Sequence, residues 1–115
     1  MKVQLIKKAN IDAYIKRNAR SRSSMQVFQT LLKEADWNSQ SDIKKTFGNS
    51  ADIVCNGQRV KFNVGGNDFR VICGIHFLKS KVLLFLKFIG THAEYDDLCN
   101  ASKKKTGICD VDDYK

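Results

Sequence analysis

Apolar residues follow two different spacings in this chain, and the change comes near residue 48. Up to that point they recur mainly three and four apart, the spacing of one helix face; beyond it they alternate, the spacing of one strand face. The first few residues are an exception. Val3 and Leu5 flank Gln4, so Lys2 to Ile6 reads as a short strand. Ile11, Tyr14 and Ile15 then share a helical face, with Asn10 as the expected N-cap. Lys16 and Arg17 lie near the C-terminal end, where cations suit the helix dipole. Residues 18–24 are polar and read as a turn, and one of Ser21, Ser23 and Ser24 is expected to cap a second helix. Phe28, Leu31, Leu32 and Ala35 form the face of that helix, and Trp37 and Asn38 end it. Ser41 is the expected cap of a short third helix, in which Ile43 and Phe47 lie four apart and Gly48 stops the turn.

After Gly48 the pattern is that of strands. Residues 51–55 form one candidate, followed by the hairpin signal Asn56-Gly57. In the next run Val60, Phe62 and Val64 cover one face, and Arg59, Lys61 and Asn63 the other. Gly65 and Gly66 are expected to make a turn with positive φ. They do not suit a phosphate cradle, because no helix follows to offer its N-terminus. Residues 69–78 and 82–89 are two further strands, joined by Lys79-Ser80-Lys81, a loop short enough for an antiparallel hairpin. In the first of them Val71, Cys73, Ile75 and Phe77 share one face, and Arg70, Ile72, Gly74 and His76 the other. His92 to Leu98 reads as a helical turn. The order of strand, helices and meander predicts an α+β fold, with the N-terminal strand and helices packed on an antiparallel sheet. The face bearing Arg70 is expected to be the open, concave one. One domain over residues 1–100 accounts for this pattern. Residues 101–115, with Lys103, Lys104 and Lys105 and then Asp110, Asp112 and Asp113, read as a mobile tail.

Composition narrows the possible partners. With 115 residues, 43% of them hydrophobic, the chain suits one modest soluble core. No segment approaches the ~20 apolar residues of a membrane span, so no membrane partner is expected. The N-terminus has no apolar stretch of the signal-peptide kind, which points to the cytoplasm. Twenty Lys and Arg against 12 Asp and Glu give a net charge of +8. Such an excess suits a nucleic acid, an acidic protein or an anionic surface, and does not choose among them. Cys55, Cys73, Cys99 and Cys109 have neither zinc-knuckle nor CxxC spacing, and His76 and His92 are the only histidines. No metal and no cofactor are expected. Cys55 and Cys73 lie in strand-like runs and read as small reduced hydrophobes. Cys99 and Cys109 flank the lysine-rich loop and could in principle bridge, but without a secretion signal free thiols are expected.

Cations on otherwise apolar strands are costly to bury. Arg70 lies between Phe69 and Val71, Lys87 between Leu86 and Phe88, and Lys61 on the strand before them. His92, Glu94 and Tyr95 follow the last strand. Gathered beside one sheet, they suggest a site for a polyanion. Each also has a plainer reading. Arg70 could pair with Asp68, Lys61 could be a solvated edge lysine, His92 could cap the last helical turn with Thr91, Tyr95 could be core, and Glu94 could orient a cation rather than touch a ligand.

The run FNVGGNDFRVI, followed after a hairpin by THAEYDDL, resembles the HigB toxins of bacterial toxin–antitoxin systems, within the wider RelE/ParE superfamily. The two motifs span much of the second half; the helical first half agrees only in length and order. The resemblance implies a small basic ribonuclease that cuts mRNA, commonly on the translating ribosome, and is silenced by a HigA-like helix-turn-helix antitoxin. By position it implies Arg70, His92 and Tyr95 as catalytic residues, and Lys61, Asn63, Lys87 and Glu94 as RNA-binding. This sequence departs from RelE-type relatives at two places. Asn63 stands where they often carry a second lysine, and His92 lies near where they often carry an arginine. RNA cleaves itself when a 2′-hydroxyl attacks the adjacent phosphate. Cations that stabilise the anionic phosphorane, and groups that move two protons, suffice for this without a metal. The same superfamily includes gyrase poisons that cut no RNA, so the fold alone leaves a ParE-like poison or a non-catalytic RNA-binding protein as alternatives.

Overall fold

Val60, Phe62 and Val64 point inward from β3 (Arg59–Val64), while Arg59, Lys61 and Asn63 turn to the other side, as strict alternation requires. A computed structural model of the chain describes residues 1–101 and 107–111. In it β3 belongs to a five-stranded sheet with β1 (Lys2–Ile6), β2 (Ala51–Val54), β4 (Phe69–Phe77) and β5 (Lys81–Thr91). The strand order is β1-β5-β4-β3-β2. The four later strands are antiparallel, and β1 joins the edge of β5 in parallel. Such a pairing needs a long crossover, and the helices of the first half supply it.

α1 (Lys8–Arg17), α2 (Arg22–Glu34) and α3 (Gln40–Phe47) lie on one side of the sheet. Their starts differ from the expected caps. α1 begins before Asn10: Lys7 takes a left-handed turn with φ 68°, and its carbonyl accepts the Asn10 N–H at 2.9 Å. Ser21 does precede α2, but its hydroxyl donates to the Asn18 carbonyl at 2.7 Å instead of capping the helix. α3 is capped at Ser39, not Ser41, because Asp42 stands three residues on. Its carboxylate accepts the N–H groups of Ser39 (3.3 Å) and Asn38 (2.8 Å), one half of a reciprocal cap. α2 ends at Glu34, and Trp37 beyond it is fully buried, its indole donating to Thr46 Oγ1 at 2.8 Å. Phe28, Phe47 and Phe62 meet at centroid distances of 4.9–5.9 Å and tie α2 and α3 to β3.

The alternation in β5 breaks once. Leu84 and Leu86 face the helices, and the next residue to do so is Ile89. The pairing register with β4 shifts between Ile72 and Cys73, so Phe88 pairs with Ile72 and Leu86 with Cys73. Lys87 is the extra residue of this bulge. Phe88 consequently joins Ile72 on the face away from α1–α3.

That second face is not open. α4 (His92–Ala101) and the single turn α5 (Gly107–Asp110) pack against it. Ile72, Phe88 and Val111 form a small second core there, with Tyr95, Leu98 and Ile108 against it. Cys55 also departs from expectation. It lies in the β2–β3 turn, where Cys55, Asn56 and Gly57 all have positive φ, and it is bonded to Cys109. The chain returns across the sheet after α4, which brings together two cysteines 54 residues apart and leaves Cys99 and Cys73 as the free thiols. Of the expected tail, residues 102–106 and 112–115, with the three lysines, lie outside the described residues; Gly107–Val111 is held as stated. Among the described residues, no helix is long and apolar enough to cross a membrane.

Candidate functional site

Strand register sets the first half of the site. Arg70 pairs with Asn63 on one side and with Gly90 on the other, and Lys61 pairs with Ile72, two residues along β4 from Arg70. Lys61 and Arg70 therefore stand diagonally on one face. The second half comes from α4, which starts where β5 ends. Thr91 and Glu94 cap it reciprocally: the Glu94 N–H donates to Thr91 Oγ1 at 3.1 Å, and the Thr91 N–H donates to Glu94 Oε1 at 2.9 Å. The His92 N–H donates to the Asp68 carbonyl at 3.0 Å and fixes the helix start to the β3–β4 turn. Gly90 permits this closeness, since a Cβ there would lie 2.8 Å from the Phe88 ring and 3.2 Å from Glu94 Cβ.

Tyr95, on the next turn, points back over the sheet. Lys61 Nζ lies 5.6 Å and the Arg70 guanidinium 5.8 Å from its ring centroid. Two cations thus share one aromatic ring. Arg70 is only 6% exposed. Its Nη1 donates to the carbonyls of Asn67 (3.2 Å) and Phe69 (3.1 Å), and its buried Nε has no hydrogen-bond partner. Among the described residues no carboxylate pairs with it, so the expected alternative, an ion pair with Asp68, is not formed. Lys61 does have one, Asp52, at 3.2 Å, and Lys44 reaches the same carboxylate at 3.4 Å. Burial works most strongly against charge on Asp52, yet the hydrogen bonds from Lys61 and Lys44 together outweigh it and hold the carboxyl below its usual range.

Burial, reinforced by a hydrogen bond with Cys99, pushes the Tyr95 hydroxyl up to about 12, although Arg70 pulls the other way. Like an ordinary tyrosine, Tyr95 is therefore neutral at physiological pH and can donate a hydrogen bond. His92 is exposed, and its Nδ1 lies 2.8 Å from Asp96 Oδ2, one helical turn on. With Nδ1 directed at the carboxylate, Nε2 is the nitrogen left for chemistry.

The structure brings Lys61, Arg70 and Tyr95 into contact and puts His92 at the start of the helix that carries Tyr95. Glu94 is spent on the helix cap and also accepts from Tyr14 Oη at 3.5 Å. Asn63 lies beside Arg70 in the sheet, but its Oδ1 is enclosed and unpartnered. Lys87 stands on the same face at the bulge, where a Cβ on Gly74 would lie 3.5 Å from Lys87 Cε. His76 packs edge-on to Phe85, with centroids 5.3 Å apart. Sequence reasoning missed Asp96, Asp52 and Cys99. The signals for Asp96 and Cys99 were present, since each stands four residues after the group it touches, on one helix. Among the described residues, no three His, Cys, Asp or Glu side chains cluster as a metal site would need. A groove of about 620 Å³ between β1 and α2 is on the far side of the sheet and has neither Lys61, Arg70, His92 nor Tyr95 in its lining. The site itself is a surface, which suits a polymer better than a small molecule.

A basic α+β domain with a cationic, aromatic-centred surface beside a short helix defines a class of proteins that act on polyanions. The comparisons make this more specific. The profile of the HigB toxins, the RelE-like toxic component of a toxin–antitoxin system, matches residues 21–98, and the chain belongs to that family. It is also 27% identical over 96 residues to the mRNA interferase HigB of Escherichia coli O6:H1 (strain CFT073), covering 84% of this chain and 91% of the relative.

Proposed function

We propose that this toxin is an endoribonuclease that cuts mRNA on the translating ribosome, in the cytoplasm, by metal-independent attack of a 2′-hydroxyl, and that a HigA-like antitoxin silences it. The observation that carries the reading is the Arg70 guanidinium: nearly buried, held over the Tyr95 ring and, among the described residues, matched by no carboxylate. An uncancelled cation at that position suits a phosphate, which would complete its coordination. Arg70 and Lys61 hold the scissile phosphate and stabilise the extra charge of the phosphorane. His92, oriented by Asp96, accepts the 2′-hydroxyl proton through Nε2. The new P–O bond forms as the bond to the 5′-oxygen breaks, and that oxygen takes its proton from the neutral Tyr95 hydroxyl. The products are a 2′,3′-cyclic phosphate and a 5′-hydroxyl end.

The test is to map RNA 5′ ends shortly after induction and then to repeat the cleavage with purified ribosomes. Cuts inside open reading frames, carrying 5′-hydroxyls, are expected. Intact transcripts during full growth arrest would overturn the reading. Gyrase trapped on DNA in the same cells would put the toxin with the ParE-like poisons instead.

A further inference from the structure

We propose that the segment Gly107–Val111 is a positioning element for Tyr95, held across the sheet by Arg59 and by the Cys55–Cys109 disulfide. The inference rests on the role given to Tyr95 above. The segment lies beyond residue 98, where the family match ends.

α4 is ten residues long, and its sequence HAEYDDLCNA offers few apolar side chains to the sheet. A helix this short has little stability of its own, so what it packs against decides where it lies. Tyr95 and Leu98 pack against the cluster that Ile72 and Phe88 from the sheet form with Val111 from beyond the helix. Val111 is only 7% exposed, and Ile108 packs against the same cluster. Two fastenings keep the segment there. Arg59 Nη1 donates to the carbonyls of Ile108 (3.1 Å) and Val111 (2.7 Å), bridging the end of the turn. The disulfide fixes Cys109 to the β2–β3 turn. Arg59 lies two residues before Lys61 on the same strand face, so the strand that presents one cation to Tyr95 also anchors the bed beneath it. The burial that pushes the Tyr95 hydroxyl above its ordinary value therefore depends in part on this segment. A dithiol can undo one fastening by exchange: it gives two electrons and two protons, leaving two cysteine thiols and its own disulfide.

The experiment uses the full-length toxin as the oxidised parent, the Cys55→Ser/Cys109→Ser double variant, Val111→Ala and Val111→Ile. Single-turnover cleavage of ribosome-bound mRNA gives a rate and a half-saturation for each. NMR of tyrosine-labelled protein follows the ionisation of Tyr95 without RNA. A small displacement of a reacting group costs rate far more than binding, so Val111→Ala and the double variant should lose about 10-fold in rate with half-saturation changed by less than about twofold. In both, Tyr95 should titrate nearer the ordinary value of about 10. Val111→Ile, which keeps a branched apolar side chain there, should match the parent in rate and titration together. An unmoved Tyr95 titration in both variants overturns the positioning, whatever their activity. A moved titration at the parental rate overturns its link to catalysis, as does a loss shared equally by rate and half-saturation. Tyr95→Ala cleaving like the parent would show that the role assigned to Tyr95 is the part that fails, while the titration still decides whether the segment holds the ring.

Discussion

Arg70→Lys is the sharpest test of the site, because it keeps the charge and removes the geometry. The guanidinium offers a planar fork, and one of its nitrogens is already committed to the carbonyls of Asn67 and Phe69. Those bonds hold the plane against the Tyr95 ring, and Nη2 is the nitrogen left for phosphate oxygens. A lysine has one nitrogen for both tasks. If it bonds the carbonyls it leaves the phosphate, and if it reaches the phosphate it leaves two carbonyls unpaired. Hydrogen bonds to charged groups contribute roughly 1.5–3 kcal/mol each. Losing one of them only in the transition state costs about 10-fold to 100-fold in rate, at about 1.4 kcal/mol per factor of ten. Arg70→Ala, which also removes the charge, should cost about 10²–10³, the range for deleting one preorganised donor. Single-turnover cleavage of ribosome-bound mRNA reads the rate, and filter binding at low temperature reads affinity. Affinity should change little in Arg70→Lys. Equal losses in rate and affinity would make Arg70 an anchor rather than a transition-state group, and a parental rate in Arg70→Lys would refute the argument from geometry. A thermal melt of each variant separates these effects from unfolding, since Arg70 is nearly buried.

Two further outcomes follow from the neighbours of this arginine. Asp96→Asn should lower the single-turnover rate about 10-fold, because the amide can present a donor to His92 Nδ1 and select the wrong tautomer; a parental rate would show that the imidazole needs no orientation. Asp52→Asn should weaken the pH dependence of stability in acid. The Asp52 carboxyl has a folded value below its unfolded one, so its contribution is present above about pH 4 and fades as pH falls through the folded value. Denaturant melts of parent and variant at neutral pH and at about pH 3 should converge on acidification, and parallel curves would refute the assignment.

Legibility in the sequence tracked the physical range of each interaction. The strand faces of Lys61 and Arg70 were each legible because alternation along β3 and β4 is unbroken; that the two faces coincide comes from the register, which pairs Lys61 with Ile72. The break in β5 left only a faint trace, the step of three from Leu86 to Ile89 where the earlier steps are of two. Taken as plain alternation, that stretch puts Phe88 with the wrong core. Ser41 was preferred to Ser39 although Asp42, three residues after Ser39, is the partner that a reciprocal cap needs. The second core was hidden for another reason. Ile72, Phe88, Tyr95, Leu98 and Val111 come from four separate segments, and each of these gives that core only one or two side chains. The Cys55–Cys109 bond was likewise invisible, because nothing at either cysteine reports a partner 54 residues away. The open concave face expected from the sheet alone is thus closed by contacts of long sequence separation.

The environment of Arg70 shows what the site gains from incomplete pairing. A buried cation is unfavourable unless something offsets its lost hydration, and a carboxylate is the usual solution. Lys61 has that solution in Asp52. Arg70 has two carbonyls and the face of an aromatic ring instead. These partners are dipoles and a quadrupole, so they steady the guanidinium without cancelling its charge. A carboxylate in their place would have to be displaced before a phosphate could bind, and it would oppose the negative charge that builds up in the transition state. The burial that seats the ring against both cations also pushes its hydroxyl above the ordinary tyrosine value. A polyanion drawn in by the net charge of +8 therefore meets diffuse attraction almost everywhere on the surface. At Arg70 it meets a fixed cation held over the Tyr95 ring, with His92 at the start of the helix that carries that ring, and the proposed cleavage, as opposed to simple adhesion, rests on these three acting together.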